Sequence, residues 1–155
     1  MIISGYIYKY GYPIGSSGVI ADADDIKNAV IRFGKEFNNV PCLLGYPKDS
    51  YGNDRASACE YNMDDVVGYA TLKVDATGIY AFVKVIETHS GRIILSMLDS
   101  EIIEEFKFGF ACYGERIDTN NYYGENKGFL RGNITIKYIT LSEDNIHYKI
   151  DKIER

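Results

Sequence analysis

Tryptophan is absent from this sequence, and histidine nearly so: His89 and His147 are the only two among 155 residues. Little imidazole chemistry is available. The three cysteines, Cys42, Cys59 and Cys112, are odd in number and include no C-x-x-C pair. That pattern reads as reduced thiols in a cytosol, not as a disulfide frame or a zinc knuckle. Neither histidine has an acidic or thiol partner at metal-ligand spacing, so no metal and no other cofactor is expected. No apolar run approaches the roughly 20 residues that span a bilayer. The opening MIISGYIYKYGYP lacks the basic and long apolar segments of a secretory signal. Cytoplasmic synthesis and no membrane partner are the expectation. A basic excess is missing too: 17 Lys and Arg against 22 Asp and Glu give a net charge of −5. Proteins held by nucleic-acid phosphates usually carry a basic stripe, and here the cations are scattered, so nucleic acid is not expected as a partner. There is no P-loop, no G-x-G-x-x-G after a strand and no G-x-S-x-G elbow.

What the chain has is enough apolar material for one core, at 46% hydrophobic residues. It also has 14 tyrosines and 7 phenylalanines. Tyrosine pairs an apolar body with a polar tip and suits half-buried strands and interfaces. No repeat or linker divides the sequence, so a single domain over 1–155 is the economical reading. Residues 1–9 alternate as a strand, with Ile3, Gly5, Ile7 and Lys9 on one side and Ile2, Ser4, Tyr6 and Tyr8 on the other. GYPIGSSG at 11–18 is a loop. Asp22 caps a first helix, with Ile26, Ala29, Val30, Phe33 and Phe37 on its apolar face and Asn38-Asn39 at its end. Residues 41–44 make a short buried strand, and 46–64 a long polar loop. Residues 66–74 and 79–86 form a hairpin about the turn Asp75-Ala76-Thr77-Gly78. Ser90 is placed to cap a second helix over about 91–106, striped by Ile94, Met97, Leu98, Ile102 and Phe106. Strands follow at 107–117, 133–141 and about 146–153, with 118–132 as a polar loop. The fold class is α+β: a small, mostly antiparallel barrel or curled sheet with two flanking helices.

Candidates for chemistry are few. His89, in THSG at a hairpin-to-helix junction, reads first as a polar loop residue, and His147 as a surface side chain of the last strand. Glu101, Glu104 and Glu105 read as a solvated helix face. Cys112, in GFACYGER, could be a nucleophile only if a base lowered its pKa. No histidine adjoins it in sequence, and a buried cysteine otherwise acts as a small hydrophobe.

The order of these pieces is similar to that of the prohead (capsid maturation) serine proteases of tailed phages, which share the fold of herpesvirus assemblins. The resemblance rests on VPCLLGYPKD at 40–49, VVGYATLKVDATGIYAFVKVIETHSGRI at 66–93, FGFACYGERID at 108–118 and NITIKYITL at 133–141. The family has a histidine base after the first of these strands, a T-x-x-G turn into a helix, a G-x-S-x-G or G-x-S-x-R-G strand bearing the nucleophile, and a last strand supporting the third catalytic group. This chain departs at each catalytic place. Tyr46 stands at the histidine position, and a phenol with a pKa near 10 is a poor base at neutral pH. Cys112 stands at the serine position under one alignment, Ala111 under a shift of one. Thr140 lies near the third position. Members of such a unit act together, so losing any of them removes most of the activity. The resemblance therefore implies a catalytically inactive, prohead-protease-like virion component or assembly factor. Its expected partners are capsid, portal or other virion proteins, with self-association as a further option. It would work in the host cytoplasm during assembly and then in the virion. The loops at 10–18 and 119–132 are its expected contact surfaces. An active protease using Cys112 with a displaced His89 base is the alternative, and an unrelated small β-barrel binding module is the second alternative.

Overall fold

The structure, a computed structural model, describes residues 1–15, 18–36, 39–47, 61–97, 100–120 and 126–155. Its elements run β1 (Ile2–Lys9), β2 (Ile20–Ala21), α1 (Ala23–Glu36), β3 (Val40–Leu44), β4 (Val66–Val74), β5 (Gly78–Val85), α2 (His89–Ser96), β6 (Lys107–Asn120), β7 (Asn126–Ser142), β8 (Tyr148–Lys149) and β9 (Lys152–Glu154). The strands form one curled sheet in the order β8-β6-β7-β3-β4-β5-β1-β9, with β2 paired to β7. Neighbours are antiparallel except β3 and β2, each of which runs parallel to β7. The fold is α+β, as the pattern of alternation and periodicity implies.

Helix α1 forms where its cap predicts. The Asp25 N–H donates to the Asp22 carboxylate at 3.0 Å, and Ile26, Ala29 and Val30 are buried in the main core. Burying a side chain such as Ile26 contributes about 1.5–3 kcal/mol. Phe37 and Asn38 lie outside the described residues. The β4–β5 hairpin closes on an Asx turn, the Asp75 carboxylate accepting from the N–H groups of Thr77 (2.7 Å) and Gly78 (2.9 Å). Ile79, Ala81, Val83 and Val85 all point into the core.

Three expectations need correction. The second helix is capped by Thr88, not Ser90. The Thr88 hydroxyl accepts from the Gly91 N–H at 3.0 Å and donates to the Val66 carbonyl. Ser90 is buried and donates instead to the Asp64 carbonyl at 2.6 Å. The helix ends at Ser96, and a separate 3-10 turn over Glu101–Glu105 follows. The tighter turn changes which residue faces inward: Ile103 is buried, while Ile102 is 53% exposed. Leu98 lies outside the described residues. Second, most of 118–132 is strand. β6 and β7 continue as an antiparallel arm out to the pair Asn120 and Asn126, and only 121–125 of the expected loop lies outside the described residues. Cross-strand pairing across a long hairpin overrides polar composition. Third, a register shift between Tyr6 and Tyr8 turns both Ile7 and Tyr8 inward. The Tyr8 hydroxyl donates to the Tyr12 carbonyl (2.7 Å) and accepts from the Ala21 N–H (3.1 Å).

Part of the aromatic surplus lies on the outer face of the sheet. Tyr6 meets Tyr80 edge-on at 5.0 Å, and Tyr80 meets Phe82 at 5.1 Å. A second outer cluster buries Leu43, Val66, Ala111 and Tyr138, with Tyr46, Tyr61, Tyr69 and Ile86 packed on it.

Candidate functional site

Strand alternation sorts the candidate residues into two sets. On β6, Phe108 and Phe110 belong to the inner core, and Cys112 packs against the same cluster. Ala111 lies on the opposite side, in the outer cluster. On β7, Ile139 and Leu141 are inner, while Tyr138 is outer. The register pairs Gly109 with Thr140 and Ala111 with Tyr138. β3 runs parallel on the other flank of β7, with Leu43 beside Thr140. It ends at Leu44, before Gly45, whose φ of 77° takes the chain out of the strand while its N–H donates to the Leu141 carbonyl at 3.1 Å. Tyr46 follows, packed on the outer cluster, where its ring meets Tyr138 at 6.4 Å.

Three polar atoms converge above Gly109. A Cβ at that position would stand 2.8 Å from Asn145 Oδ1, 2.9 Å from Thr140 Oγ1 and 3.0 Å from the Tyr46 hydroxyl oxygen. Thr140 is fully buried. The Asn145 amide donates to Thr140 Oγ1 (3.1 Å) and to the Lys107 carbonyl (2.9 Å). The bareness of Gly109 lets these groups meet. Tyr61 closes the other side of Tyr138, ring to ring at 6.4 Å, and burial raises its phenol pKa, with Tyr69 adding to the shift.

Tyr46, Ala111 and Thr140 are thus brought to one face, and Cys112 is not among them. Its side chain is half-buried against the inner core, and desolvation pushes its pKa up to about 12 against a smaller opposing pull from Lys137. Such a thiol stays protonated at neutral pH. His89 is exposed at the start of α2, which packs on β4 and β5, whereas Cys112 points into the core from β6. β7 and β3 stand between β4 and β6 in the sheet, and no contact joins His89 to Cys112 among the described residues. His147 is also exposed, its ring against Tyr148 at 5.6 Å. The carboxylates of Glu104 and Glu105 are exposed. No group of three or more His, Cys, Asp or Glu residues among those described is arranged to hold a metal. The THSG turn serves the fold instead. Thr88 caps α2, and Gly91 admits the Ile86 carbonyl where a side chain would collide.

Sequence reasoning did not single out Gly109 as a floor, nor Asn145 and Tyr138. Tyr138 was within reach, because it sits two residues from Thr140 on a strand and so shares its face. Asn145 was not, since its contacts span a turn and a neighbouring strand.

This α+β architecture, a curled, mostly antiparallel sheet with two helices, matches the fold of a phage capsid assembly protease. Among solved structures the chain is similar to the capsid assembly protease gp21 of bacteriophage T4, with a TM-score of 0.61 over 91% of this chain and 80% of that one. The identity is 13%, so the likeness is one of fold. No protein-family model matches the chain, and no curated protein matches it in sequence. No helix among the described residues is long and apolar enough to cross a membrane.

Proposed function

We propose that this chain acts as one domain, over 1–155, in the capsid assembly of a tailed phage, as a non-catalytic relative of the maturation proteases. It works through contacts with capsid, portal or other virion proteins, in the host cytoplasm during assembly and afterwards in the particle. In this reading Tyr46 takes the place of the base, Ala111 that of the nucleophile and Thr140 that of the third group. The observation that carries it is the content of the face where these three meet. A methyl group cannot attack a carbonyl, and a phenol with a reference pKa near 10 accepts no proton at neutral pH. Asn145 and Thr140 are already hydrogen-bonded to each other there. Cys112, the one thiol on that strand, faces the other way and stays protonated.

The purified protein is incubated with the capsid and scaffold proteins of its phage, with and without a thiol alkylator, and proheads are probed for its presence. No cleavage, together with co-purification on heads or assembly intermediates, is the expected result. Alkylator-sensitive cleavage would return the chemistry to Cys112. Absence from every particle and intermediate would remove the assembly role.

A further inference from the structure

The curled sheet does not close strand to strand. β1 and β6 face each other across a seam, with Tyr8 against Phe110 at 5.5 Å. A single segment, 148–154, bridges it. At one end β8 pairs antiparallel with β6, Tyr148 opposite Phe108 and Lys149 opposite Lys107. At the other, β9 pairs antiparallel with β1, Lys152 opposite Ser4, Ile153 opposite Ile3 and Glu154 opposite Ile2. Beside the start of the strap lies a cleft whose lining includes Ile7, Tyr8, Phe108, Phe110, Asn145 and Tyr148.

Apart from the strand pairing at its two ends and a long bond of 3.5 Å from the Ser4 hydroxyl to the Lys152 carbonyl, the strap is held by three hydrogen bonds. The Asp151 N–H donates to the Ser4 carbonyl at 2.9 Å. The Asp151 carboxylate accepts from the Tyr80 hydroxyl at 2.6 Å. Tyr148 adds one bond, its hydroxyl accepting from the Lys9 N–H at 3.1 Å. Tyr148, Ile150 and Ile153 reach the core but none of the three is fully buried. The anchor before the strap is Asn145, pinned to Lys107 and Thr140. Between anchor and strap lie Ile146 and His147, both exposed. A segment with little buried area and an exposed hinge belongs to the low-stability end of a fold, while the edges that it covers can take any strand of suitable chemistry.

We propose that residues 148–154 form a releasable strap, latched by Tyr80 and Asp151, and that the β1–β6 seam beneath it is a strand-acceptor site. The incoming strand is the same segment of a second copy of this chain, which carries the pattern that fits the seam: Tyr148, followed two and five positions later by Ile150 and Ile153. The strap and its seam do not depend on what the Tyr46 face does.

Hydrogen exchange on the full chain tests the opening. Amides of 148–154 should exchange at least about a hundredfold faster than those of β4 and β5, and Tyr80→Phe should speed them several-fold further. A Ser4→Cys, Lys152→Cys pair, in a Cys59→Ser background, joins residues directly opposite across β1 and β9, within disulfide reach. Oxidised, it should slow strap exchange at least about tenfold, and reductant should reverse this. A synthetic peptide of residues 147–155, offered at millimolar concentration to the Tyr80→Phe protein, should bind saturably, and at least about tenfold more weakly to the oxidised lock. Strap amides as protected as those of β4 and β5, or exchange indifferent to Tyr80→Phe, would overturn the latch. Peptide binding that is absent, or unchanged by the lock, would overturn the acceptor site.

Discussion

Replacing Gly109 by alanine tests the geometry of the outer face. The added methyl would arrive within 3.0 Å of three oxygens, on Asn145, Thr140 and Tyr46. Two of these cannot swing away freely. Asn145 is held by bonds of 2.9 and 3.1 Å to Lys107 and Thr140, and Thr140 is fully buried on β7. Overpacking of this kind costs about 1–3 kcal/mol, and disturbing a buried hydroxyl's hydrogen bond adds about 1 kcal/mol if the bond is lost. A loss of about 2 kcal/mol is therefore expected for Gly109→Ala. In a chain of this length that lowers Tm by about 4–8 °C. Urea unfolding of the parent and variant measures it, with unchanged m as the sign that the folded state stays compact. Tyr46→Phe removes one of the three oxygens, so the double variant should be less destabilised than the two single changes added, by about 0.5 kcal/mol or more. A Gly109→Ala protein within about 0.5 kcal/mol of the parent, or strict additivity with Tyr46→Phe, would refute the convergence.

Other outcomes follow from individual residues. Tyr8→Phe strands the buried Ala21 N–H that its hydroxyl serves and should cost about 1–3 kcal/mol, read by urea unfolding. Burial raises the Tyr8 pKa to about 12, above its unfolded value near 10, so this contribution is complete below about pH 10 and is lost as pH climbs through 12; a parent less sensitive than Tyr8→Phe to that rise would contradict it. Cys112, with its pKa near 12, should react with iodoacetamide at pH 8 about a thousandfold more slowly in the folded protein than in guanidinium, as mass spectrometry of the labelled peptide would show. The Tyr6 hydroxyl and the hairpin amides hold the Asp75 carboxyl below its usual range. Its contribution is present above about pH 4 and lost as pH falls through the lowered value, so Asp75→Asn should flatten the acid limb of a stability-against-pH curve.

Much of the fold could be read locally. The α1 stripe, the Asp22 cap and the Asp75 hairpin depend on residues a few positions apart, and propensity and periodicity report such neighbours directly. The readings that needed correction involve longer reach. Whether Thr88 or Ser90 caps α2 is decided by which hydroxyl finds a carbonyl, Val66 or Asp64, on another element. Tyr8 turns inward because of a bulge against β5, which leaves no mark on the alternation of β1 itself.

The candidate site divides in the same way. The resemblance to the prohead proteases named Tyr46, Ala111 or Cys112, and Thr140, because it rests on the order of strands, turns and glycines, which is a linear property. It left Ala111 and Cys112 level, since adjacent residues differ only in the face they take. The tertiary structure separated them: pairing with β7 sets Ala111 outward beside Tyr138 and turns Cys112 to the opposite side, half-buried against the core. It also brought Asn145 to Gly109 and drew 148–154 across the seam. Those contacts join positions far apart in the chain, and only the closing of the sheet brings them within a hydrogen bond of one another.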